Sequence, residues 1–117
     1  MIYNQMVIYS SPSLDAVFSA LGDPARRHIV ERLSQGRLPI GAAAEGLSIS
    51  QPAVSKHVKI LEQSGLIRRR ITGRVHHIEL TPRAMNGASS WIETQRAFWE
   101  STFDRLDDYF AQTQGDE

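Results

Sequence analysis

An amphipathic helix with both of its ends written into the sequence constrains everything else in this chain. In the stretch 48–67, SISQPAVSKHVKILEQSGLI, Ser50 is a good N-cap, and Gln51 and Pro52 follow in the first turn, where a missing N–H costs nothing. Gly65 stands where a left-handed C′ residue ends a helix. Leu61 and Leu66 then fall at C3 and C″, the apolar pair of a Schellman termination. The spacing therefore predicts a helix from about Gln51 to Ser64. Val54, Val58, Leu61 and Ile60 form a narrow stripe for burial. The other face carries Gln51, Ser55, Lys56 and Lys59, and no acid follows Ser50 until Glu62. These side chains suit base edges and phosphates. An ordinary amphipathic helix with a solvated polar face is the alternative, and the rest of the chain bears on the choice.

Charge bears on it first. The net charge of the 117 residues is zero, but residues 50–83 hold seven Lys or Arg against Glu62 and Glu79, a net of +5. Residues 84–117 hold Arg96 and Arg105 against seven acids, a net of −5. Only the middle of the chain is suited to meet phosphate. The length fits one domain and favours a binding module over an enzyme with a deep pocket of its own. Without cysteine, disulfides, thiolate metal sites and cysteine nucleophiles are excluded. No segment has the length or composition of a membrane span or a leader, so a cytoplasmic location is expected.

Residues 1–12 show no clean period and read as an arm, although Ile2, Tyr3, Met6, Val7, Ile8 and Tyr9 make it too apolar to leave in water. Leu14, Val17, Phe18 and Leu21 mark a first helix ending at Gly22. Asp23 caps a second with Pro24 at N1. Ile29, Val30 and Leu33 form its buried side, Arg26, Arg27 and Arg32 its solvated face, and Gly36 its end. A short third helix spans Ile40 to Glu45, with Gly41, Ala42, Ala43 and Ala44 small enough to permit a close crossing. Gly46 closes it, and a brief turn leads to Ser50. After Gly65 the period becomes two. Ile67, Arg69 and Ile71 alternate with Arg68, Arg70 and Thr72, and Val75 to Leu80 return after Gly73-Arg74, so a two-stranded hairpin is predicted. The class is mainly α with a small β-hairpin, a winged helix-turn-helix, with Arg74 at the wing tip suited to a minor groove or flanking phosphates.

The segments LDAVFSALGDPARRHIVERL (14–33), LSISQPAVSKHVKILEQSGLI (47–67) and RRRITGRVHHIEL (68–80) resemble the winged helix-turn-helix repressors of the ArsR type. The resemblance implies a homodimeric transcriptional repressor that binds double-stranded DNA, with Gln51 to Ser64 as reading helix, Gly73-Arg74 as wing tip and the terminal helices as dimer interface. It extends to members with a Trp and an FWE segment in the last helix, here Trp91 and Phe98-Trp99-Glu100, which often lack a metal site. Metal-sensing members use Cys in the third helix or Asp with His on the last. This chain has no Cys, and its last helix has no His.

Thr81 and Pro82 open that last helix, which is expected to bend at Asn86-Gly87, reach about Phe110 and fray from Ala111 to Glu117, leaving residues 13–110 as the domain. Ile92, Trp99, Phe103, Leu106 and Phe110 lie on one stripe, with Trp91 and Phe98 beside it. This is wider than a small domain needs, so a second copy of the chain is the expected user; packing of the whole face on the first helix is the alternative. The dimer contacts expected are Leu14, Phe18, Trp99, Phe103 and Leu106. For DNA the candidates are Ser50, Gln51, Ser55, Lys56, His57, Lys59 and Arg74. No metal, cofactor or catalytic residue is expected. Asp104, Asp107 and Asp108 share a face but lack a geometry-fixing turn, His76 and His77 point to opposite sides of a strand, and no Gly-framed Ser or Gly-rich phosphate loop occurs. The competing function is a winged helix that binds a partner protein without DNA, which would tolerate acids and favour exposed aromatics on the reading helix.

Overall fold

The computed structural model describes residues 14–115; the expected arm, residues 1–12, lies outside them. Residues 14–21 are helical (α1), followed by α2 (Pro24–Arg32), a single 3-10 turn (Leu33–Gln35), β1 (Leu38–Pro39), α3 (Ile40–Ala43), α4 (Gln51–Gln63), β2 (Ile67–Thr72), β3 (Val75–Leu80) and α5 (Pro82–Gly115). Val17 and Ala20 of α1, Ile29 and Leu33, Ala43, Val58 and Leu61, Leu66, Ile67, Ile78 and Ala88 form one core to which nearly every element contributes. This is the winged helix-turn-helix expected from the sequence.

Local chemistry accounts for the helix ends. The Asp23 carboxylate accepts from the backbone N–H groups of Ala25 and Arg26, at 2.8 and 3.2 Å, with Pro24 opening α2. Ser50 Oγ accepts from Ala53 N–H at 3.3 Å and starts α4. At the other end of α4, Gly65 has the expected positive φ of 84° and its N–H donates to Glu62 O at 3.0 Å, half of a Schellman motif. The second half differs. The buried Ser64 hydroxyl donates to Leu61 O at 2.7 Å and accepts from Leu66 N–H at 3.3 Å, so a side chain relays the bond that Leu66 would otherwise make directly. Capping and apolar spacing thus agree on the helix that the sequence marks most strongly.

Four other expectations change. The wing is part of a three-stranded antiparallel sheet, order β1-β3-β2, because Leu38 and Pro39 pair with Ile78 and His77. Two residues are too few to show a period, and Pro39 is tolerated because β1 is an edge strand. The helical part of α3 is shorter than Ile40 to Glu45, continuing only as turn through Gly46. Arg27 and Arg32 are exposed as expected but Arg26 is largely withdrawn from solvent: Arg26 donates to Ser19 O and Ala20 O, and from the exposed face Arg27 donates to Leu21 O and Arg32 to Ala42 O, satisfying carbonyls at the ends of α1 and α3. Finally, α5 runs through Asn86-Gly87 without a break and continues past Phe110 to Gly115, since no proline or glycine intervenes after Gly87.

The Ser64 relay yields a test. Ser64→Ala leaves the buried Leu66 N–H without its acceptor, and the loss expected is about 1–3 kcal/mol. Chemical denaturation should show a lower midpoint at an unchanged slope.

Candidate nucleic-acid interface

The two faces of α4 separate cleanly. Val58 and Leu61 are buried and Val54 and Ile60 partly so, whereas Ser50, Gln51, Ser55, Lys56 and Lys59 are exposed. Gln51, Ser55 and Lys59 are spaced by one turn and follow a single line along the helix. The first two also border a groove of about 390 Å³ between α3 and the start of α4, lined by Ile40, Gly41, Ala44, Leu47, Ile49 and Val54. The side chains of Gly41, Ala42 and Ala43 in α3 are small, and Ala43 is fully buried.

His57 is placed differently. It is half-buried on the flank of α4 that faces α2, with its Nδ1 3.2 Å from a guanidinium nitrogen of Arg26. Two of the other three histidines also have local partners: His28 Nε2 donates to Glu45 O at 2.6 Å, and His76 Nδ1 lies 2.9 Å from Arg69. Among the described residues no group of three His, Cys, Asp or Glu side chains could hold a metal ion.

The wing arginines are not equivalent. Arg69 makes a two-pronged bond to Glu62, at 2.7 and 3.3 Å, and so joins β2 to the last turn of α4. Arg68 and Arg70, on the opposite face of β2, both bond Glu79 Oε1 on β3, the first at 2.9 Å. The Arg70 side chain, with Arg68 assisting, holds the Glu79 carboxyl below its ordinary range and keeps it an anion. Among the described residues, Lys56, Lys59 and Arg74 have no carboxylate partner. Arg74 sits beside Gly73, whose φ of 62° is the positive value that a two-residue hairpin turn requires. The acids near the basic surface are therefore occupied by β2, while the cations on α4 and at the wing tip stay free. Spacing alone does not reveal this division of labour, since it depends on which side chains face one another across the sheet.

The last helix carries the second candidate surface. Thirty-four residues span about 51 Å, and beyond Ala88 none of the described residues of α5 is buried. Trp91 meets Phe18 of α1 edge-on at 5.5 Å, so only the start of the aromatic stripe packs within the chain. Trp99, Phe103 and Leu106 are about half exposed. Leu14 and Phe18 are partly buried against the core. No described helix is long and apolar enough to cross a membrane.

Comparison with known proteins agrees with this geometry. Residues 21–70 match a helix-turn-helix domain family. The chain is similar to the HTH-type transcriptional regulator Rv2034 of Mycobacterium tuberculosis, at 41% identity over 80 residues covering 68% of this chain and 73% of that one. It is also similar to the transcriptional repressor SdpR of Bacillus subtilis, at 32% identity over 79 residues covering 68% and 88%. The crystal structure of an ArsR family transcriptional regulator superimposes with a TM-score of 0.71 at 33% identity, covering 78% of this chain and 94% of that one. With the helix-turn-helix, the wing and these relatives in agreement, the chain belongs to the ArsR family of winged helix-turn-helix transcriptional regulators.

Proposed function

We propose that the protein is a homodimeric repressor that acts in the cytoplasm, binding a partly palindromic operator and occluding a promoter. The observation that carries this reading is the exposed face of α4, where Gln51, Ser55, Lys56 and Lys59 stand free of carboxylates while Glu62 and Glu79 are held by wing arginines. Gln51 and Ser55 read base edges. Lys56 and Lys59 hold phosphates, Ser50 presents the first turn of α4, and Arg74 reaches a minor groove or flanking phosphate. His57 joins this surface through its place on α4. A partner protein in place of DNA is disfavoured because no aromatic side chain lies on α4.

The dimer is supported by the α5 stripe. Leu14, Phe18, Trp99, Phe103 and Leu106 meet a second copy; by 100° steps Asp104 and Asp108 lie on the far side of the helix, while Arg96 and Asp107 border the apolar face beside Phe103. One reading helix makes too few phosphate contacts for tight specific binding, so two act together, with half-sites about one helical turn apart, near 10 base pairs.

Three outcomes follow from this reading. Against a library of operator variants, Gln51→Ala should relax preference at one or two positions, costing roughly 1–3 kcal/mol there, while Lys59→Ala should weaken all sequences alike and reduce the salt slope by about one unit. A uniform loss for Gln51→Ala would remove it from base reading. Trp99→Glu or Phe103→Glu should make the protein monomeric by sedimentation and lower operator affinity far more than affinity for an isolated half-site. A monomeric variant that still protects the whole operator at the wild-type concentration would break the link between α5 and operator binding. Zinc or arsenite should leave DNA affinity unchanged; a tight stoichiometric zinc site that releases operator would contradict the carboxylate face as plain surface.

A further inference from the structure

Arg26 is where three helices meet. Its Nε donates to Ala20 O at 2.7 Å and one terminal nitrogen donates to Ser19 O at 3.2 Å, both at the end of α1. Its other terminal nitrogen lies 4.0 Å from the Asp23 carboxylate, the cap of α2, and 3.2 Å from Nδ1 of His57 on α4. Arginine has no acceptor atom, so Nδ1 is the acceptor and the proton of the neutral ring sits on Nε2. The Arg26 side chain is only 14% exposed, which leaves water little room to replace these partners. Among the described residues, this is the only side-chain hydrogen bond between α4 and the helices before it. The turn of α1 that supplies the carbonyls also carries Phe18, which lies edge-on to Trp91 of α5.

The rest of the α4 packing on this side is apolar, and apolar contact is non-directional. A hydrogen bond to a fixed guanidinium is directional and resists rotation. The lever is sensitive: α4 is 13 residues long, about 20 Å, so a tilt of about 10° moves one end by about 3.5 Å, the rise of one base pair.

We infer that the Arg26–His57 bond sets the angle of the reading helix against α1, and thereby fixes the half-site spacing the dimer prefers. Arg26 is a positioning residue in this scheme, remote from DNA and acting through His57. The inference rests on the homodimeric DNA-binding reading and assigns the source of its geometric specificity.

The test uses the full chain and DNA selected by the wild-type protein from a randomised pool, rebuilt as one half-site and as paired half-sites with the spacer changed by one base pair. The wild type should prefer its own spacing by about tenfold or more. Arg26→Met should reduce that preference to about threefold or less while single half-site affinity stays within about twofold. His57→Leu should reduce the spacing preference equally, and the double variant no further, because both remove one bond. His57→Asn, which keeps an acceptor near the position of Nδ1, should restore it. If Arg26→Met does not fold, Arg26→Lys carries the same expectation, since an ammonium cannot span the α1 carbonyls and the imidazole together. A folded Arg26 variant with wild-type spacing preference overturns the inference. So do additive effects of the two changes on the spacing preference in the double variant. A wild type that binds paired half-sites no better than one would overturn the dimeric reading and this inference with it, whereas retained spacing preference in the variants overturns the inference alone.

Discussion

The reversal at Ser64-Gly65 is the constraint on which the architecture depends. Helix α4 must stop there, the chain must turn, and Leu66 and Ile67 must enter the core within four residues of Gln63, the last residue of α4. Only a residue that accepts positive φ without strain permits that path, which Gly65 provides at 84°. The price is a set of carbonyl and N–H groups turned inward at a helix terminus, and Ser64 settles two of them with one hydroxyl. From that point Thr81 N–H reaches back to Leu66 O at 2.8 Å, so the start of α5 is tied to the same turn. Reading helix, wing and last helix are thus all referred to one short segment.

Ion pairing then fixes the wing against that segment. Partly exposed pairs such as Glu62–Arg69 stabilise a fold only modestly, about 1 kcal/mol or less. Their importance here is geometric and electrostatic. The two-pronged bond from Arg69 orients β2 relative to the last turn of α4, and Glu79 holds Arg68 and Arg70 along the other face. Each pair also removes an acid from the neighbourhood of Lys56, Lys59 and Arg74. A chain of zero net charge can therefore present a locally basic surface, because seven of its other eleven acids follow residue 92 in the sequence.

What the sequence revealed and what it hid follow from the range of the interactions. The α4 boundaries, the Asp23 and Ser50 caps, the Gly73 turn and the α5 stripe are local features in which residues a few positions apart determine the outcome, and these were readable. The third strand was hidden because Leu38-Pro39 becomes a strand only by pairing with β3, some forty residues away. Arg26 departs from the solvated face of α2 for a similar reason: helical spacing places it near the surface, but its partners are the carbonyls of another helix and an imidazole 31 residues further on. The length of α5 was underestimated because an exposed aromatic stripe says where a face lies and not where its helix ends. The candidate residues on α4 were legible as one exposed face, whereas the freedom of their charges depends on cross-strand pairs that no period encodes.

One stripe on α5 serves two purposes. Ala84, Met85 and Ala88 pack against the core of their own domain, and Trp91 reaches Phe18; on the same side of the helix Trp99, Phe103 and Leu106 continue outward beyond the body of the chain. By 100° steps all of these residues lie within one broad sector, so the helix does not rotate its apolar face between the intramolecular part and the extended part. A second copy on the outer part would therefore press along the same line that anchors the helix to its own core. In the proposed dimer, association would stabilise the domain as well as pair two reading helices, since ligation of the native state raises its stability by mass action. An apolar face of this size cannot be kept in water without cost. In that dimer each copy would gain from the other the burial that its own small core does not supply, which would couple the stability of the fold to the two-fold symmetry of the proposed operator recognition.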